Sequence, residues 1–136
     1  MAIKTRLHVW DVKDTAQQID EIRRGLPASD VKILIGCFHV PQNSMEYVLR
    51  ISHRTLARRQ AQGELLKPDE SERVVRLGSV FRFAVETLGT AEAAQRWFKK
   101  PRAELKGDTP FMHCDTEPGR MEVEQVLTRI ADGVYA

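Results

Sequence analysis

Apolar positions recur along this chain at spacings of three and four, which predicts a fold built from helices. Between residues 69 and 88, Val74, Leu77, Phe81, Ala84 and Leu88 form one continuous stripe, the spine of the C-terminal half. Asp14 is placed to cap a helix through Arg24, with Ile19 and Ile22 on its apolar side, and Gly25 with Pro27 supplies the stop. Ser29 opens VKILIGCFHV, which is apolar on nearly all sides and is therefore expected to be central, and Pro41 closes it. Two short helices follow at 42–50 and 52–62, joined around Ile51 and Ser52 in the layout of a helix-turn-helix. Gly63 and Pro68 break the pattern before the long helix, and Gly89 ends that helix. Thr90 caps the next one, in which Trp97 and Phe98 read as core side chains. After a loop through Gly107 and Asp108, Thr116 or Asp115 caps a last helix whose apolar stripe is Val123, Val126, Leu127 and Ile130. Only LHVWDV near the start alternates like a strand.

Composition narrows the class. At 136 residues, with 42% hydrophobic and 29% charged, the chain is long enough to bury a core without staples and too apolar to be disordered. No apolar run reaches membrane-spanning length and MAIKTRLHVWDVKD lacks the apolar core of a secretory signal, so cytoplasmic residence is the expectation. A net charge of +2 is too small to bind nucleic acid by bulk charge, so any such contact depends on local clustering. Cys37 and Cys114 are far apart and unpaired in spacing, which reads as two reduced, partly buried thiols. With His39 and His113 they fit no common zinc pattern, and Ser52 beside His53 is better explained by capping than by catalysis. No glycine-rich phosphate loop occurs, and the expectation is a protein with no enzymatic activity, metal or cofactor.

Clustering is found in the second helix of the helix-turn-helix layout. Arg54, Arg58 and Gln62 share one face while Leu56 points to the core, and no acidic residue lies between Arg50 and Arg59. The run RTLARR, the following Gly63, PDESER, LGSVFRFAVETLG and AEAAQRWFKKP, together with GDTPFMHCDTEPGRMEVEQVLTRIADGVYA at the end, resembles the Xre/MbcA/ParS antitoxins over roughly residues 26–136. The chain departs from that pattern at two points, Glu46 and Arg50, where the resemblance leads one to expect a small residue and a glycine.

The resemblance implies an all-α helical bundle with an Xre-like helix-turn-helix part, residues 1–66, and a toxin-binding helical part, residues 67–136. It implies an antitoxin of a type II toxin–antitoxin pair that neutralises a NAD-consuming RES-domain toxin by covering its active site. With the layout of the basic helix it suggests operator DNA contacts by Arg54, Thr55, Arg58, Arg59 and Gln62. It also turns the terminal Gly133, Val134, Tyr135 and Ala136 from a frayed end into a toxin-binding plug, and a homodimer would suit both tasks. The alternative is a stand-alone helix-turn-helix regulator without a toxin partner.

Overall fold

In the computed structural model, residues 14–133 are described. LHVWDV and the terminal Val134, Tyr135 and Ala136 lie outside them. Among the described residues there are eight α-helices: α1 Thr15–Arg24, α2 Asp30–Phe38, α3 Gln42–Leu49, α4 His53–Gln62, α5 Pro68–Leu88, α6 Ala91–Phe98, α7 Pro110–His113 and α8 Glu117–Ala131. A 3₁₀ turn, Ala103–Leu105, precedes α7. An isolated bridge between Pro27 and Leu65 is the extent of β pairing among these residues. No helix among them is long and apolar enough to cross a membrane.

Local chemistry explains most of the boundaries. The Asp14 carboxylate accepts from the Ala16 N–H and the Thr90 hydroxyl from the Ala93 N–H, while Ser52 and Thr116 serve α4 and α8 in the same way. Of the two candidates for the last helix, Thr116 is therefore the cap. Ser29 precedes α2 without a side-chain cap bond. The last helix is preceded by a turn of helix, α7, capped by Thr109, where the sequence pattern suggests only loop. Gly119 lets α8 approach that turn: a Cβ there would stand 2.0 Å from the His113 carbonyl oxygen.

The 21-residue α5 is the axis of the bundle and packs against α1, α2, α3, α6 and α8. Its stripe is as expected, with Val74, Leu77, Phe81 and Ala84 buried and Leu88 partly so. As expected, α2 is central: Val31, Leu34, Cys37 and Phe38 are buried and Ile33 and Ile35 pack against the core, while Lys32 and Gly36 face solvent. On α1, Ile22 packs against the core but Ile19 is 41% exposed, so the apolar side inferred there is narrower than its sequence suggests.

One aromatic cluster holds the two halves of the chain together. The ring of Phe38 lies 4.8 Å from that of Phe81, 4.8 Å from Phe98 and 5.1 Å from Phe111, in tilted and edge-on arrangements. Phe38 thus carries α2 into the middle of α5, α6 and α7, and the halves share a core rather than abutting. Trp97 and Phe98 are both buried, as their spacing implies.

Candidate nucleic-acid interface and toxin-binding segment

The helix-turn-helix is formed by α3 and α4, joined through Arg50, Ile51 and Ser52. Ile51 and Leu56 anchor it to the core at 3% and 0% exposure. Arg50 adopts φ 56°, the left-handed region where glycine is at ease and other residues are strained by roughly 1–2 kcal/mol. The glycine expected at this position is thus what the turn asks for. Arg50 is offset by contacts a glycine lacks, because its Nε donates to the Asp115 carbonyl at 3.2 Å. A second tie runs from Arg73 on α5, whose Nε donates to the Leu49 carbonyl at 2.7 Å and satisfies the end of α3.

Glu46, the other departure, is buried between α3 and α4. Its Oε2 accepts from the Gln42 amide at 2.8 Å and lies 2.8 Å from His53 Nδ1, which donates as the protonated nitrogen. Glu46 is the one acidic residue from His39 to Gly63, and its burial leaves the outer face of α3 and α4 without an exposed carboxylate.

On that face Arg54, Arg58 and Gln62 are all exposed. Thr55 is half-buried and committed to the cap, its hydroxyl accepting from Ser52 Oγ at 2.8 Å and its N–H donating to the same atom at 3.1 Å. Arg59 is a correction. It is 6% exposed and its guanidinium is ion-paired with the Glu70 carboxylate, so it does not share the outer surface with Arg54 and Arg58. Glu70 also accepts from the Lys67 N–H at 2.8 Å, so the pair locks α4 to the first turn of α5.

In the C-terminal half, side chains between α5, α7 and α8 form a dense charged network. Arg120 engages Glu117 with two nitrogens, at 2.8 and 2.9 Å, and reaches Glu124 at 2.5 Å, while Arg76 on α5 meets Glu117 at 2.8 Å. The Arg120 hydrogen bonds, opposed by burial and aided by Arg76, hold the Glu117 carboxyl at about 2. His113 is set between Asp108, 2.9 Å from Nδ1, and Glu122, 2.6 Å from Nε2. Burial works against the charged ring, and the two carboxylates outweigh it, leaving the His113 pKa above its ordinary 6.5. None of this cluster is legible in the sequence, because the short α7 that aims His113 leaves no periodic signal.

These two shifts have opposite consequences for stability. Glu117, depressed, contributes stability present above about pH 4.5 and lost as pH falls towards about 2. His113, raised, contributes stability present below pH 6.5 and lost as pH rises through its folded value. Melting temperature should therefore plateau between these limits, with Glu117→Gln flattening the acid limb and His113→Gln the alkaline one. Unchanged limbs in both variants, followed by calorimetry from about pH 3 to pH 9, would contradict the assignment.

Burial pushes the Cys114 thiol up to about 12, so it is no nucleophile at neutral pH. Cys37 and Cys114 are both free, Cys37 buried, and among the described residues no group of three His, Cys, Asp or Glu side chains is arranged to hold a metal ion. A cleft lined by Leu49, Arg73, Arg76, Cys114, Glu117 and Arg120 encloses about 40 Å³.

Residues 17–78 match the Antitoxin Xre-like helix-turn-helix domain, and residues 83–133 match the Antitoxin Xre/MbcA/ParS C-terminal toxin-binding domain. The chain is 36% identical over 80 residues to an Antitoxin Xre of Pseudomonas putida, a stretch covering 59% of this chain and 50% of that protein. It is 29% identical over 128 residues to the Prs ADP-ribosylating antitoxin of Sphingobium sp. strain YBL2, covering 88% of this chain and 80% of the relative. An Antitoxin Xre of Yersinia enterocolitica is 27% identical over 119 residues, covering 87% and 80%. With the helix-turn-helix and the toxin-binding segment present in that order, the chain belongs to the Xre/MbcA/ParS antitoxins, members of toxin–antitoxin pairs.

Proposed function

We propose that this protein neutralises a NAD-consuming RES-domain toxin by covering its active site, and binds operator DNA through α4 to repress its own promoter. It acts by binding and performs no chemistry. Support for the toxin's chemistry comes from the resemblance and from the Sphingobium relative, which is named for ADP-ribosylation. Transfer of ADP-ribose draws on NAD, breaking its bond to nicotinamide, so a toxin of that kind has a concave nucleotide site that a short peptide can fill. Gly133, Val134, Tyr135 and Ala136 are the proposed plug, led by the Tyr135 ring. Residues 1–66 and 67–136 are the proposed DNA-binding and toxin-binding parts, and a cytoplasmic homodimer would present two basic helices to two half-sites.

The observation that carries the DNA half is the absence of exposed carboxylates on α3 and α4, with Arg54 and Arg58 exposed on that face. Phosphate is attracted by such a surface, and each phosphate neutralised releases counterions. Replacing both arginines with alanine is expected to weaken operator binding and reduce the salt slope by about 0.9 for each phosphate no longer neutralised. Neutralisation of the toxin should survive, since neither residue lies in the segment matched as toxin-binding. Equal promoter repression by the double variant, read with a reporter fusion, would remove the DNA role.

A further inference from the structure

A second cluster of cations stands outside the helix-turn-helix. From Gln95 to Ala103 the chain reads QRWFKKPRA, with four basic residues and no acidic one. Trp97 and Phe98 are buried there, while Arg96, Lys99 and Lys100 face solvent. Among the described residues none of these three forms an ion pair, whereas Arg102 stacks over the Trp97 ring at 5.3 Å and lies 3.5 Å from Glu104. Cations at the end of a helix complement its dipole, which accounts for Arg96 in the last turn of α6. It does not account for Lys99, whose ammonium donates to the His39 carbonyl at 2.9 Å, or for Lys100 beyond it.

The Lys99 bond fixes where the cluster sits. Gln95 on α6 donates to the Cys37 carbonyl at 2.8 Å, so the ends of α2 and α6 are side by side. Three residues after His39, Gln42 opens α3, and its amide lies 3.4 Å from His53 at the start of α4. Three residues span at most about 10 Å. The cluster therefore borders the entrance to the helix-turn-helix. His39, Pro41, Gln42 and Asn43, which lie between, are exposed and carry no carboxylate. Glu92, the exposed acidic residue of α6, stands at the opposite end of that helix from Lys99.

We propose that Arg96, Lys99 and Lys100 contact phosphates of operator DNA beside those met by Arg54 and Arg58, extending the DNA footprint onto the C-terminal half. This rests on the DNA reading and carries it to residues outside the 17–78 helix-turn-helix match, into a segment matched for binding a toxin. The character of the patch favours duplex DNA over an acidic protein. Among the described residues, no large apolar side chain between 91 and 110 stands in solvent, so the charge is not accompanied by the anchor that a protein interface uses. Phosphate contact needs no such anchor, because it draws on charge and counterion release. The spacing suits it too, since about 10 Å of duplex axis carries about three phosphates of one strand.

The test measures binding of the full chain to a duplex of its own promoter region, at salt from about 50 to 200 mM. Arg96→Ala combined with Lys100→Ala leaves the Lys99 bond in place. This variant is expected to bind roughly tenfold more weakly, with the salt slope reduced by about 0.9 for each phosphate given up. Its melting temperature should be unchanged because both side chains are exposed, and protection against the proposed toxin should be kept. Wild-type DNA affinity in this variant, where Arg54→Ala with Arg58→Ala weakens binding, would overturn the extended footprint and leave the DNA reading standing. Wild-type DNA affinity together with lost protection would assign the patch to the toxin and overturn the proposal as well. No binding of the wild-type chain at about 50 mM salt would overturn both.

Discussion

Phe81→Ala is expected to destabilise the protein by on the order of 3–5 kcal/mol, the cost of emptying a fully buried aromatic site. Phe81 is 2% exposed and its ring lies 4.8 Å from Phe38 and 6.2 Å from Phe98. Because Phe38 joins the helix-turn-helix half to the helices around α5, the cavity would open at the point where the two halves meet. Unfolding should remain a single transition, and toxin neutralisation and operator binding should fail over the same temperature range. A wild-type urea midpoint would show that the cluster is not the shared core.

Arg59→Ala is expected to cost a similar amount, about 3–5 kcal/mol, for a different reason. The side chains of Arg59 and Glu70 are 7% and 10% exposed, so removing the cation leaves a carboxylate largely out of water and facing no positive charge from Arg59. The remaining Lys67 N–H bond does not neutralise it. Exchanging both residues together, Arg59→Met with Glu70→Leu, should recover most of the stability, because two apolar side chains need no partner. A change below about 0.5 kcal/mol in the single variant, measured by urea unfolding, would place Arg59 on the surface after all.

Much of this architecture is legible in the sequence wherever a signal is local. The caps at Asp14, Ser52, Thr90 and Thr116 are read from side chains bonding to backbone two or three residues away, and the Val74 to Leu88 stripe is read from periodicity alone. What escapes such a reading depends on distant partners. Arg59 adjoins Arg58 in sequence but lies within about 60° of Leu56 on the helix, and the glutamate that draws it inward is on α5 across the Gly63 turn. The His113 cluster needs α7, which at four residues is too short to show any period. Arg50 takes a glycine's conformation at the end of α3, and its side chain bonds to the carbonyl of Asp115, 65 positions on.

The proposed occlusion of a NAD site by the terminal residues is tested by cellular NAD during co-expression of the proposed RES-domain toxin with either the full chain or a chain lacking residues 133–136. With the full chain, NAD and growth should be maintained. With the truncated chain, the two proteins should still co-purify while NAD falls and growth stops. Full protection by the truncated chain would contradict occlusion by the tail and assign neutralisation to the helical body alone.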